Sequence, residues 1–363
     1  MKVAITGSSG LIGTALVSAL EADGHQVVRL VRRPPRSAGE IHWDPQAVDA
    51  GIHAGTLTGI DACVNLAGAP VGDHRWTTRY KAEIRSSRVI ATRALANVLA
   101  GLEPRPSVFV CASAMGFYGN TRGKAVDESA PSGPAFLSGV VRDWEAACAP
   151  AADAGIRVVN LRSGLVLSPA GGVLGKILPL ARLGLCPRFG TGEQVWSWIT
   201  LADEVAAIRF LLESSSCAGP YNLTAPNAVT NDAFTSALQQ VAGRPDLRWL
   251  RVPAWALRLA LGEMSSEILG DARVLPARLT EAGFEFSYPS VGPALAAELG
   301  KRRLSATRLP APPCRPRPAR LPAPPCPPAG PARVVVERSP HHLLVALHDN
   351  AGGWFSAWVG RAS

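Results

Sequence analysis

Lys2-Val3-Ala4-Ile5-Thr6-Gly7-Ser8-Ser9-Gly10-Leu11-Ile12-Gly13 opens this 363-residue chain and decides its fold. Val3–Ile5 is a short apolar run that breaks at Thr6-Gly7, as a buried strand entering a turn does. From Leu11 to Ala22 the apolar residues recur at helical spacing. Three glycines with two residues between each punctuate the junction. Gly7 permits the tight turn, Gly10 lets the backbone approach a pyrophosphate, and Gly13 lets the helix pack closely on the strand. The N–H groups and partial positive charge of the helix start then face the phosphates. Strand, glycine turn and helix in that order predict a dinucleotide site contributed by Gly7, Ser9, Gly10, Leu11, Ile12 and Gly13.

The pattern continues outward. Gln26–Val31, Ala62–Leu66, Ser107–Ala112 and Arg157–Leu161 read as strands, with helical stretches at Lys81–Ala100 and Val141–Ala152. Strands alternating with helices predict an α/β, Rossmann-type, doubly wound parallel sheet. From about residue 171 the pattern is less regular. Asp203–Glu213, Thr230–Val241 and Pro253–Leu261 read as helices, and Gly283–Tyr288 as a short strand. Residues 1–225 are expected to form the nucleotide-binding domain, with substrate-side insertions from 171, and 226–299 a small C-terminal α+β domain.

The second strand ends Leu30-Val31-Arg32-Arg33. A site for NAD would place an acidic residue there to hold the ribose 2′-hydroxyl. Two arginines offer fork geometry to a 2′-phosphate instead, which favours NADP(H). Asn65-Leu66-Ala67-Gly68-Ala69 follows another strand, and its small residues let backbone pass close to the cofactor riboses.

With TGSSGLIG at 6–13, VRR at 31–33 and VNLAGAP at 64–70 stand SSR at 86–88, ASAMGFYG at 112–119, DWE at 143–145 and LRSGLVL at 161–167. GTGEQVWSWI at 190–199, GPYNLTAP at 219–226 and LPARLTEAGFEF at 275–286 complete the set. Together these resemble the atypical short-chain dehydrogenase/reductases called epimerase family proteins, over essentially residues 1–299. The resemblance implies a Rossmann fold followed by a small domain of undetermined function. It also implies that Arg32 and Arg33 face the 2′-phosphate and that Leu66, Ala67, Gly68, Glu83, Arg88 and Val166 make further NADP contacts. Glu83 and Arg88 are equally readable as an ordinary helix-surface charge pair.

Reductases of this kind use a Tyr acid/base, a Lys four residues later and a Ser on the preceding strand. Counting back from Glu145, the Lys and Tyr places hold Val141 and Leu137, and neither moves a proton. Ser113, at a strand end, and Tyr118, on the glycine-rich loop beyond, are the remaining candidates. The alternative is a strand-end hydrogen bonder and a packed aromatic. Trp196 and Trp198, with Arg182, form either a flat substrate pocket or packing between domains. Three functions stay open: an NADP-dependent oxidoreductase with non-standard acid/base residues, a nucleotide-sugar-type epimerase or dehydratase, and a non-enzymatic NADP(H)-binding sensor or scaffold.

The +9 net charge does not point to nucleic acid. Ten Lys/Arg and two Asp/Glu lie from Lys301 onward, leaving 27 and 26 in the rest. The seven cysteines form no CxxC pair and read as buried thiols, with no metal site expected. Neither a signal peptide nor an apolar run of membrane-spanning length is visible, which favours a cytoplasmic protein with a small-molecule substrate, no membrane partner and homo-oligomerisation open. Residues 300–363 form a low-complexity tail. Within it Arg-Leu-Pro-Ala-Pro-Pro-Cys repeats at 308–314 and 320–326, and Pro and Arg at this density predict disorder.

Overall fold

The computed structural model describes residues 1–300, apart from Val48, Asp49, His53 and Arg248, and three strands within 334–359. In chain order the first elements are β1 (Lys2–Thr6), α1 (Leu11–Ala22), β2 (Gln26–Val31), β3 (Glu40–His42), β4 (Ala62–Asn65), α2 (Thr78–Ala100) and β5 (Val108–Ala114). Next come β6 (Ala125–Val126), α3 (Phe136–Ala146), α4 (Ala149–Asp153), β7 (Arg157–Ser163), β8 (Leu165–Leu167), α5 (Gly172–Arg182), β9 (Arg188–Phe189) and β10 (Val195–Trp196). They are followed by β11 (Trp198–Thr200), α6 (Leu201–Glu213), β12 (Gly219–Leu223), β13 (Val229–Thr230), α7 (Asn231–Ala242) and β14 (Arg251–Val252). The last before residue 300 are α8 (Ala254–Leu261), α9 (Ser265–Leu269), β15 (Arg273–Val274), α10 (Ala277–Glu281) and α11 (Val291–Glu298).

Seven strands form one sheet in the order β12-β7-β5-β4-β1-β2-β3, and every pairing in it is parallel. The predicted doubly wound sheet is therefore present. Its faces are both buried, because side chains alternate across the pleat. Val3 and Ile5 of β1 join one core with Leu16, Leu20, Val110 and Ile208, while Ala4 joins the other with Leu30, Leu95, Phe109 and Trp144. Strand order reverses between β1 and β4, and a ligand crevice opens at the carboxyl ends of strands at such a switch point. The glycine turn leaves from one of these strands and the 66–70 loop from the other.

Three local expectations change. Helix α2 starts at Thr78, where the Thr77 hydroxyl caps the Tyr80 N–H. The helix expected at 141–152 is two helices, α3 and α4, with proline early in the second. Gly283–Tyr288 is not a strand. Phe284 and Phe286 pack, partly buried, on the core, and the N–H groups of Ser287 and Tyr288 go to the Asp203 carboxylate.

Residues 307–363 make a second unit. Here β16 (Val334–Ser339), β17 (His342–His348) and β18 (Trp354–Val359) pair antiparallel in sequence order. The proline-rich repeats, and with them most of the 300–363 tail expected to be disordered, lie outside the described residues. The five described cysteines are buried free thiols. Among the described residues no His/Cys/Asp/Glu group is arranged to hold a metal, and no helix is long and apolar enough to cross a membrane.

Candidate functional site

Two hollows meet at the glycine turn and share Gly7, Gly10, Leu66 and Gly68 in their walls. The first, about 800 Å³, runs past Ser9 to Arg32, Arg33 and Glu40, with Ala67 and Glu83 along its side. The second, about 470 Å³, is lined by Leu11, Ile12, Gly13, Arg88, Ala112 and Val166. The predicted cofactor residues are thus brought to one crevice.

The turn has no room for larger residues. Gly7 has φ +65°, and a Cβ there would lie 2.7 Å from the Leu66 carbonyl carbon. A Cβ on Gly13 would lie 2.1 Å from the Gly7 oxygen. Gly10 gives α1 no side-chain cap, and no acidic residue stands in the first turn, so the helix start is open to an anion. Thr6 ties the two crevice loops together: its hydroxyl donates to Asn65 Oδ1 at 2.6 Å and accepts the Leu66 and Ala67 N–H groups. Asn65 and Trp144 in turn donate to the Thr92 hydroxyl of α2, at 2.8 and 2.9 Å.

The two arginines differ. Arg33 forms a forked ion pair with Glu40 at 2.8 and 2.6 Å, which holds that carboxyl down at about 2. Arg32, on the same wall, has no hydrogen-bond or ion-pair partner among the described residues. Glu40 escaped the sequence reading because β3 is three residues long and carries no periodic signal.

Arg88 and Glu83 are not a charge pair. Glu83 is exposed, whereas Arg88, among the described residues, donates to the carbonyls of Ile84 and Ala69, at 3.1 and 3.0 Å. The Arg88 guanidinium stacks over Trp144 at 5.1 Å and would sit 3.1 Å from a Cβ at Gly68. Burial pushes its pKa down to about 10.

Ser113 and Tyr118 belong to one buried network. Ser113 donates to Glu145 at 2.6 Å, and Arg162 grips the same carboxylate through Nε and Nη2, both at 2.8 Å. Arg162 also donates to the Tyr118 hydroxyl at 2.9 Å, and that hydroxyl donates to Asn222 at 2.7 Å. Tyr118 is 5% exposed, and burial raises its pKa against the opposing pull of Arg162. Proton donation by Tyr118, a candidate role from the sequence, meets a physical obstacle: the phenol's proton and a lone pair are both engaged inside the protein. Glu145 and Arg162 were missed as partners, although a charged residue inside the apolar strand Arg157–Ser163 is itself a signal.

Trp196 and Trp198 are 5% and 0% exposed and present no open face to a ligand. Both indoles are buried in a core with Leu174, Phe234 and Leu238, and they donate to the Ile268 and Asn227 carbonyls. Packing, the alternative reading, is what the structure has. Arg182 is exposed on the last turn of α5.

Residues 3–224 match the NAD dependent epimerase/dehydratase family. The chain belongs to that family. Residues 252–298 match a domain of unknown function, DUF1731. Epimerase family protein Mb2239 of Mycobacterium bovis is 44% identical over 294 residues, 81% of this chain and 96% of that protein. The crystal structure of human epimerase family protein SDR39U1 (isoform 2) with NADPH is 32% identical, with a TM-score of 0.76 over 83% of this chain and 99% of that one. A nucleoside-diphosphate sugar epimerase from Corynebacterium glutamicum is 36% identical, with a TM-score of 0.69 over 84% of this chain and 59% of that one. The family membership agrees with the short-chain dehydrogenase/reductase resemblance carried by the motifs.

Proposed function

We propose that this chain binds NADP(H) along the crevice and acts as an oxidoreductase on a small carbonyl or hydroxyl compound. The glycine cradle carries the proposal, since a Cβ at Gly7 or Gly13 would collide with backbone. Gly7, Ser9, Gly10, Leu11, Ile12 and Gly13 would hold the pyrophosphate. Arg32 and Arg33 would face the 2′-phosphate, and Leu66, Ala67, Gly68, Glu83, Arg88 and Val166 would hold the rest. The NADPH in the human relative's structure supports the choice of nucleotide. Bound there, the cofactor supplies or accepts a hydride. Ser113, whose one proton goes to Glu145 at 2.6 Å, is the hydroxyl assigned to polarise a substrate carbonyl, a role that requires it to turn from that carboxylate to the substrate. The same reading assigns residues 1–225 to nucleotide binding, 226–299 to the family's second domain and 300–363 to a tail, in a cytoplasmic protein.

A second reading, a non-enzymatic NADP(H)-binding protein, is favoured by the engaged Tyr118 hydroxyl and by Leu137 and Val141 in the acid/base places. Calorimetric titration of the full chain with NADPH and NADH tests the shared part. Micromolar NADPH binding is expected, and no binding of either nucleotide sinks both readings. Loss of NADPH absorbance in a carbonyl screen, abolished by Ser113→Ala, separates the enzyme from the binding protein.

A further inference from the structure

Three arginines, Arg29, Arg32 and Arg33, and the Glu40 carboxylate line the first hollow, and Arg29 is already paired with Glu21 at 3.0 Å. Glu40 meets both terminal nitrogens of Arg33, a parallel fork that is among the stronger protein ion pairs. It also accepts the Arg36 N–H at 2.7 Å, so the carboxylate is fixed from the backbone of the same turn. The Glu40 side chain is 9% exposed and that of Arg33 40%. Arg32 is left as a cation with no partner among the described residues.

We infer that Glu40 is a specificity-determining residue of the nucleotide site: by holding and neutralising Arg33 it leaves Arg32 to read a 2′-phosphate, and so limits the preference for NADPH over NADH. The inference rests on the cofactor reading above. Its basis is charge. A 2′-phosphate brings close to two negative charges, as phosphomonoesters do near neutral pH. Two free guanidinium groups would nearly balance that, but the Glu40 carboxylate cancels one of them. A ribose 2′-hydroxyl has no charge to lose, so Glu40 acts on one nucleotide and hardly on the other.

The test is calorimetry on the full chain with NADPH, NADH, adenosine 2′,5′-bisphosphate and AMP. Glu40→Gln keeps the size of the side chain and removes its charge. NADPH and the bisphosphate are expected to bind about fivefold tighter or more, with NADH and AMP within about twofold. Arg32→Ala is expected to weaken NADPH about tenfold or more, and the double variant Arg33→Ala with Glu40→Gln, which removes the ion pair as a unit, clearly less. NADH binding by each variant reports that the site is still folded. An unchanged NADPH-to-NADH ratio in Glu40→Gln overturns the inference, and so does a loss in the Arg33→Ala, Glu40→Gln double variant equal to that of Arg32→Ala. If the unsubstituted chain binds neither nucleotide, the cofactor reading itself falls and this one with it. A selective parent with an unaltered Glu40→Gln variant removes this inference alone.

Discussion

Arg162 donates its Nη1 proton to the hydroxyl of Tyr118 at 2.9 Å, in a buried pocket at the ends of β5 and β7. The phenol therefore bridges a permanent cation and Asn222. Tyr118→Phe should remove that bridge and leave two buried polar groups short of a partner. A loss of about 1–3 kcal/mol in urea unfolding is expected, with nucleotide affinity unchanged within about twofold. A variant as stable as the parent would show that the hydroxyl is not held as described.

Gly13→Ala puts a methyl carbon 2.1 Å from the Gly7 oxygen, so the glycine turn must open. Overpacking of this kind costs about 1–3 kcal/mol. The displaced turn should also lose its ligand, which makes the variant weak for NADPH and NADH alike. Thermal unfolding with and without nucleotide checks this: the shift in Tm given by NADPH should vanish in the variant.

Arg88→Met separates binding from folding. The guanidinium is partly buried with backbone carbonyls as its hydrogen-bond partners, so an apolar side chain of similar length should leave stability equal or higher. Affinity should fall about tenfold for both nucleotides, because Arg88 lines the hollow away from Arg32. A fall for NADPH alone would move Arg88 to the 2′-phosphate.

Glu204 of α6 is fully buried, with the Ser163 hydroxyl at 2.6 Å on one oxygen and no partner for the other among the described residues. Burial raises its carboxyl from 4.5 to about 8. Between those values the unfolded chain has released the proton and the folded chain keeps it. Stability therefore falls as pH rises through that window, by at most about 1.4 kcal/mol per pH unit, and levels above it. Glu204→Gln should flatten the slope, which chemical unfolding at pH 5, 6.5 and 8 will show. An equal slope in both proteins would mean that Glu204 is ionised in the fold.

The elements legible in the sequence are those specified locally. β1, the glycine turn and α1 announce themselves by periodicity and by three glycines. Arg32 and Arg33 are legible from their place at the end of β2. What was hidden depends on residues distant in the chain. Glu145 and Arg162 are 17 apart, and Tyr118 and Asn222 are 104 apart, yet each pair meets within the network. Aromatic patterning misled at Gly283–Tyr288, because alternation reports burial, not the structure that achieves it. Phe284 and Phe286 are partly buried but lie outside any strand, and Trp196 and Trp198, read as either pocket or packing, are core.

The Asp203 carboxylate, 1% exposed, takes the N–H groups of Ser287 and Tyr288 at 2.8 and 3.0 Å. That small clasp decides where the polypeptide can be shortened. A fragment ending before Phe284 strips a buried carboxylate of both backbone donors and uncovers the surface beneath Phe284 and Phe286. It should aggregate, even though every residue of the nucleotide crevice is present. A fragment ending after α11 keeps the clasp closed, so the minimal nucleotide-binding piece extends well beyond the last residue that lines the crevice.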